Sequence, residues 1–196
     1  MNTSQKQLSR EKENMRILGI DPGLRKQTVG FAVLEAPCGL TAEKAEHVTD
    51  FFEYLCLGRV ITGGVLSGPG TKKDPLGSAR QVAETLWKIA NRYRVDYVCI
   101  EDFLYRGESP KRAPASVASK MRLFVGFLHG FFTARGFRVH LILPRTWKAR
   151  IRRISKETPE EWLATRFPEV PSVLETPVAN GQLRHVFSAV GVALAL

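Results

Sequence analysis

The sequence has 196 residues, of which 44% are hydrophobic, and this excludes a disordered chain and suits one domain with its own core. The 29 Lys and Arg residues exceed the 19 Asp and Glu residues, so the formal net charge is +10. Such an excess favours an anionic partner, nucleic acid before a membrane surface, although solubility alone also accounts for positive charge.

The first residues, MNTSQKQLSREKEN, are polar and of mixed charge. We interpret residues 1–15 as a frayed, disordered tail ahead of a single domain over residues 16–196. The tail contains no apolar segment of a secretory signal, which favours the cytoplasm of a bacterial or phage-infected cell. The longest apolar runs, FVGFLHGFF and VFSAVGVALAL, are too short to cross a bilayer, so a membrane is not expected as a partner.

Three strands are predicted in the first third of the chain. Ile17–Ile20 is a short apolar run before a Pro-Gly turn, and Thr28–Leu34 is rich in β-branched and aromatic residues. The third, Phe51–Ile61, reads FFEYLCLGRVI and ends at a Gly-Gly pair. We expect an antiparallel meander of these strands, followed by a loop in GVLSGPGTKKDP because of its Gly, Lys and Pro content.

Helices and strands alternate in the rest of the sequence. Helical spacing of apolar residues predicts a helix over Ser78–Tyr93. The later elements are a strand in VDYVCIE, a helix over Ser116–Arg135, a strand in RVHLILP, a basic segment RTWKARIRRISK, a helix over Glu157–Arg166 and a final helix over Gly181–Leu196. Such alternation implies parallel strands. The predicted fold class is α/β, a five-stranded mixed sheet of three antiparallel strands and then parallel strands, flanked by helices.

A single acidic residue closes each of two predicted strands. Asp21 ends the run ILGID, and Glu101 ends the run VCIE. If these strands are parallel neighbours, about 4.8 Å apart, both carboxylates project from the same edge of the sheet. Hard divalent cations prefer such oxygen ligands. The pair therefore predicts a metal site, and a solvated charge at each strand end is the alternative.

Several blocks of the sequence, in order, resemble one family. ILGIDPGLRKQTVGFAVLE resembles the first motif of the RuvC-type Holliday-junction resolvases, metal-dependent nucleases of the RNase H-like superfamily. DYVCIEDFLYR resembles the second acidic strand and its aromatic-bearing loop, and SVASKMRLFVGFLHGFF, VHLILPRTWKARI and HVFSAVGVALAL resemble the blocks that follow. The resemblance covers most of residues 16–196. It implies an RNase H-like fold and a structure-specific endodeoxyribonuclease that resolves four-way DNA junctions.

The resemblance also implies a site for two Mg²⁺ or Mn²⁺ ions, which needs no covalent nucleophile. Asp21 would bridge the two ions, with Glu101 beside it. The family places two further ligands three residues apart on the last helix, where this chain has His185 and Ser188. His185 fits as a ligand, whereas Ser188 stands where the family has Asp. A deliberate Asp-to-Ser change that traps a substrate complex and a natural variant with weakened or lost catalysis are both open explanations.

Two basic stretches predict contacts with DNA. Lys148 in PRTWKARI matches the family's basic residue near the scissile phosphate, so it counts among the catalytic candidates. Its neighbours Arg145, Arg150, Arg152 and Arg153 predict phosphate contacts. The loop 102–114 adds Phe103, Leu104, Tyr105, Arg106, Lys111 and Arg112. The resemblance implies that an aromatic residue of this loop stacks at the junction centre, and Phe103 and Tyr105 are both candidates; packing of one of them into the core is the alternative.

A four-way junction needs two symmetric cuts, which a twofold-symmetric homodimer can supply. Gly126 and Gly130 lie four residues apart in the long apolar helix and would allow close approach of a partner helix, or of the chain's own sheet. Because of Ser188, a junction-binding protein that does not cleave is an alternative function. Another RNase H-like nuclease, acting on branched or single-stranded nucleic acid, is a further alternative. Whether a helicase takes part, and which DNA sequence is preferred for cleavage, are both left open by the sequence.

Overall fold

A mixed five-stranded sheet forms the centre of the computed structural model, which describes residues 14–22, 28–37, 51–67, 75–102, 115–179 and 181–196. The strands are β1 (Asn14–Pro22), β2 (Thr28–Pro37), β3 (Arg59–Ser67), β4 (Tyr97–Glu101) and β5 (Arg138–Ile142), in the spatial order β3-β2-β1-β4-β5. The pairs β1–β2 and β2–β3 are antiparallel, and the pairs β1–β4 and β4–β5 are parallel. The predicted fold class is therefore confirmed.

Helices cover both faces of the sheet. In the described ranges they are α1 (Phe51–Leu55), α2 (Pro75–Arg92), α3 (Ala115–Thr133), α4 (Pro144–Ile154), α5 (Pro159–Arg166) and α6 (Leu183–Ala193), with a 3₁₀ turn at Val170–Val173. Alternate residues of β1 point to opposite faces, so Leu18 and Ile20 join α2 and α3 in one core and Ile17 joins α4, α5 and α6 in the other. None of the described helices is long and apolar enough to cross a membrane.

The predicted third strand is wrong at both ends. Phe51–Leu55 forms α1 and not a strand, and Phe52 and Leu55 are buried in the core beside α6. The extended chain begins only at Arg59 and continues through the Gly63-Gly64 pair to Ser67, which the sequence placed in a loop. A short apolar run does not distinguish strand from helix by its spacing, and the two glycines lie inside β3 because neighbouring side chains approach them closely.

The structure defines the basic segment after β5 and the start of the helix that follows it. The basic segment after β5 is the helix α4, in which Trp147 and Ile151 are buried. The next helix, predicted over Glu157–Arg166, begins two residues later at Pro159, because Thr158 and Glu161 form a reciprocal capping box there. The predicted disordered tail, residues 1–15, lies mainly outside the described residues, but its last two residues, Asn14 and Met15, belong to β1.

The outer edge of β3 is covered by the chain that precedes α6. The Val60 amide donates to Glu169 Oε1 at 2.8 Å, and the Glu175 amide donates to the Gly63 carbonyl at 2.9 Å. The Val65 amide donates to Thr176 Oγ1 at 3.0 Å. These bonds satisfy an edge that would otherwise be open to another strand, and they fix the path of the chain into α6.

Candidate active site

Three of the predicted ligands meet at the carboxyl ends of β1 and β4. The parallel register pairs Ile20 with Ile100, so the next residues, Asp21 and Glu101, end neighbouring strands on one edge. Asp21 is only 6% exposed, and its Oδ2 lies 2.8 Å from Nδ1 of His185 on α6. Glu101 is hydrogen-bonded to Asp21. Asp21 therefore contacts both of the other candidates.

Burial changes the acidity of the carboxyl group of Glu101. Desolvation is the largest cause and, with the charge of Asp21 and their hydrogen bond, raises the pKa of Glu101 to about 8. The charge of Lys148 and a bond from Trp147 oppose this shift. Trp147 Nε1 donates to Glu101 Oε1 at 3.4 Å. The raised pKa favours the protonated form of the Glu101 carboxyl group at neutral pH.

The donor atoms fit a divalent cation by their chemistry. Two carboxylates and an imidazole are ligands that Mg²⁺ and, better, Mn²⁺ accept, and a cation would replace the proton that the carboxyl groups hold. Across the described ranges, no three His, Cys, Asp or Glu side chains are arranged as a complete metal-binding group. Asp21 instead bonds to Glu101 and to His185. Metal binding would require these donors to turn from each other toward the ion.

Ser188 lies on α6, three residues after His185 and therefore on the same side of the helix. It is half-buried, and it contributes a neutral hydroxyl. A carboxylate at this position would add a negative charge to the site, whereas a hydroxyl is a weak ligand. Of the four predicted ligand positions, the one at Ser188 therefore carries the weakest metal ligand.

Two glycines that the sequence analysis missed allow α6 to reach the site. Gly30 pairs with Asp21 across β1 and β2, and a Cβ at Gly30 would lie 2.2 Å from the backbone oxygen of His185. A Cβ at Gly19 would lie 1.9 Å from the Ala189 carbonyl oxygen. A side chain at either position would push α6 from the sheet and carry His185 from Asp21. Glycine inside a strand pattern is the sequence signal for such close approach.

We expect Gly30→Ala to lower the free energy of unfolding by about 1–3 kcal/mol, because the added methyl group overlaps the α6 backbone. Gly30→Val should lower it further. Strand propensity alone predicts the opposite order, with Val above Ala and Ala above Gly, so the series contains its own control. Urea unfolding of the three proteins measures the order; a stability that rises from Gly to Ala to Val would contradict the tight contact.

The basic side chains of α4 lie beside and outside this cluster. Lys148 faces it, since its charge acts on Glu101, and Lys148 Nζ lies 3.3 Å from Glu160 Oε1 of α5. Arg150 is half-buried, with its guanidinium 5.6 Å from the centre of the Phe52 ring. The exposed members are Arg145, Arg152 and Arg153. The candidates Phe103, Leu104, Tyr105, Arg106, Lys111 and Arg112 lie outside the described residues.

The two glycines of α3 face solvent. A Cβ at Gly126 or at Gly130 would meet no atom of the described residues, the sheet included, within 4 Å, so the interpretation that they pack against the chain's own sheet is wrong. Leu123 on the same helix is 74% exposed. This face of α3 is therefore open to a partner.

The sheet order and the flanking helices define the RNase H-like fold of the RuvC type. The fold is similar to Thermus thermophilus RuvC in complex with Holliday junction substrate, with a TM-score of 0.59, 18% identity, and coverage of 92% of this chain and 91% of that chain. A second Thermus thermophilus RuvC structure gives a TM-score of 0.58 and 18% identity, with 92% of each chain covered.

A eukaryotic protein shares the fold more distantly. The yeast mitochondrial Holliday junction resolvase Ydc2 has a TM-score of 0.53 and 11% identity, with coverage of 92% of this chain and 77% of that chain. No protein-family model matches this chain, and no curated protein sequence matches it. At these identities the likeness establishes the fold, and the chemistry has to be argued from the site.

Proposed function

We propose that this chain is a structure-specific endodeoxyribonuclease of the junction-resolving kind, which acts on four-way DNA with Mg²⁺ or Mn²⁺. The observation that carries the proposal is the contact of Asp21 with both Glu101 and His185 at one edge of the sheet. The fold adds support, because the solved structures similar to it include RuvC with a Holliday junction substrate. The net charge of +10 suits a polyanionic partner.

Asp21, Glu101 and His185 would hold two metal ions, which when bound supply an activated water and stabilise the leaving 3′ oxygen. The protein's own groups do the rest. Trp147 holds the Glu101 carboxyl group by its indole N–H. Lys148 brings a positive charge to the same carboxyl group and would contact the scissile phosphate. The arginines of α4 would bind the adjoining DNA backbone, which makes the affinity strongly salt-dependent.

Ser188 favours a second candidate function, a protein that binds four-way junctions without cleaving them. The hydroxyl leaves the site one carboxylate short of the four-ligand pattern that the resemblance implies. Binding and cleavage therefore have to be tested separately. A third possibility is another RNase H-like nuclease that acts on branched DNA. The affinity of the protein for four-way junctions relative to other DNA structures distinguishes this possibility from the first two.

The test is binding of the native protein to a synthetic four-way junction and to a linear duplex of the same sequence, at matched salt and in EDTA. We expect the junction to bind much more tightly, because the duplex can use only sequence-independent phosphate contacts. Equal affinities across the salt range would overturn the junction proposal and leave the third possibility.

We also propose that the protein acts as a homodimer through the open face of α3. Leu123 lies beside Gly126 and Gly130 on this helix, and Leu141 of the neighbouring edge strand β5 is 45% exposed. Leu141 points to the α3 side of the sheet, since it shares its face with Val139. Small residues flanked by exposed leucines suit close packing against a second copy, and two copies supply two sites for two cuts.

Leu123→Arg is expected to convert the dimer into a monomer, because a charge replaces an apolar contact at its centre. Sedimentation equilibrium measures the mass. Leu57→Arg is the matched control: Leu57 is also an exposed leucine, 53% exposed, but it follows α1 and not α3. A native protein that is monomeric, or a loss of dimer with both variants, would contradict this face.

A further inference from the structure

The ammonium group of Lys148 already has an anionic partner inside the protein. Its Nζ lies 3.3 Å from Oε1 of Glu160, which lies on the next helix and is not one of the predicted site residues. We propose that Glu160 holds Lys148 in the free protein as a substitute for a DNA phosphate, and that DNA displaces it. This inference rests on the proposed function, because it needs Lys148 to contact DNA.

Glu160 is held firmly where Lys148 can reach it. It is the second residue of α5, and the capping box of Thr158 and Glu161 fixes this helix start while Pro159 is buried. A carboxylate in the first turn is also favoured by the helix dipole. The helix thus presents a negative charge at a fixed place beside α4, as a bound phosphate oxygen would.

Lys148 is held at the same time on the side of the metal site. Its Nζ lies 4.8 Å from the centre of the Trp147 ring, and Trp147 donates to Glu101. Lys148 therefore lies between two acids, the half-buried Glu101 and the outer Glu160. A phosphate that approaches the site would meet the lysine at the point where Glu160 now pairs with it.

The pair is weak enough to exchange. The side chains of Lys148 and Glu160 are 31% and 35% exposed, and ion pairs that water reaches contribute little to stability. In contrast to Lys148, the exposed cations Arg145, Arg152 and Arg153 form no ion pair with an acid within the described part of the chain. The ion pair thus restrains Lys148, the lysine whose charge acts on Glu101.

Glu160→Gln tests the proposal by DNA binding in EDTA, measured as fluorescence anisotropy of a labelled four-way junction and of a labelled duplex over a salt series. We expect affinity to rise about two- to fivefold, the range of one exposed ion pair. The slope of log affinity against log salt should stay nearly the same, because Lys148 contacts the phosphate in the native complex too once DNA has displaced Glu160. The gain in affinity should vanish when Lys148→Met is already present.

Glu157→Gln is the matched control, since it makes the same charge change at an exposed residue just before α5. If it equals Glu160→Gln, or if the gain persists with Lys148→Met, general charge explains the effect and the proposal is overturned. Thermal unfolding confirms that each variant is folded. If the native protein binds DNA but does not prefer the junction, only the proposed function is refuted, because the duplex measurements still test the role of Glu160. If it binds neither DNA, both proposals are overturned.

Discussion

Replacing Ser188 by Asp is expected to increase cleavage of a four-way junction in Mn²⁺ by about 100-fold or more. Removing a group that only hydrogen-bonds to a metal ligand already lowers metal affinity or activity by about 10- to 100-fold. A carboxylate at position 188 would be a ligand itself, so its effect should be at least as large. Position 188 lies on the same side of α6 as His185, which already bonds to Asp21. The change thus adds negative charge where the predicted site lacks it.

The assay follows strand cleavage of a labelled junction by the native protein, Ser188→Asp and Ser188→Asn. The Asn variant is the control, because it matches Asp in shape and lacks the charge, so it should remain as slow as the native protein. Products with 5′-phosphate and 3′-hydroxyl ends are expected. Junction binding without cleavage by any of the three would favour the junction-binding protein, and native cleavage as fast as that of Ser188→Asp would show that Ser188 is no defect.

The same variant should also change stability in a metal-dependent way. A third carboxylate beside Asp21 and Glu101 adds to a cluster that already holds a proton at neutral pH. We therefore expect Ser188→Asp to unfold at a lower temperature than the native protein in EDTA, and to gain more from Mn²⁺. This second readout separates a failure to bind metal from a failure to cleave.

The sheet and the acidic pair were predictable because both follow from local patterns. Apolar runs with turn signals identified β1, β2, β4 and β5, and alternation with helices in the second half fixed the parallel pairs. Once β1 and β4 are parallel neighbours, Asp21 and Glu101 have to share an edge. The prediction of His185 as a ligand came from a family resemblance and not from residue spacing, because a lone histidine at the start of a helix has no distinctive sequence pattern.

What the sequence did not show depends on contacts between distant segments. Phe51–Leu55 is helical because of what it packs against, and its apolar run suits a strand equally well. Trp147 and Glu160 bear on the site only through contacts with Glu101 and Lys148, which no periodicity records. Gly30 is the exception: a glycine within VGFAV was a readable signal of close approach to the backbone.

Asp21→Asn is expected to remove metal-dependent stabilisation and, in the Ser188→Asp background, to abolish cleavage. Asp21 is the residue that touches both other candidates, so its charge is the one that a shared cation would use. A ligand at about 100 times its Kd stabilises a fold by about 2.7 kcal/mol, and the native protein should approach this in Mn²⁺. Asp21→Asn should show little of it, as measured by thermal unfolding with and without Mn²⁺.

The metal-free protein gives an independent test of the same carboxyl pair. The pKa of Glu101 is about 8 in the folded protein, against an ordinary value of 4.5, so the folded state binds this proton more tightly than the unfolded chain. The free energy of unfolding in EDTA should therefore fall as pH rises between these values, by at most about 1.4 kcal/mol per pH unit. In Asp21→Asn the fall should be smaller but present, because burial, the larger cause, remains. Urea unfolding across this range measures the total fall, and a total fall unchanged by Asp21→Asn would mean that Asp21 does not act on Glu101.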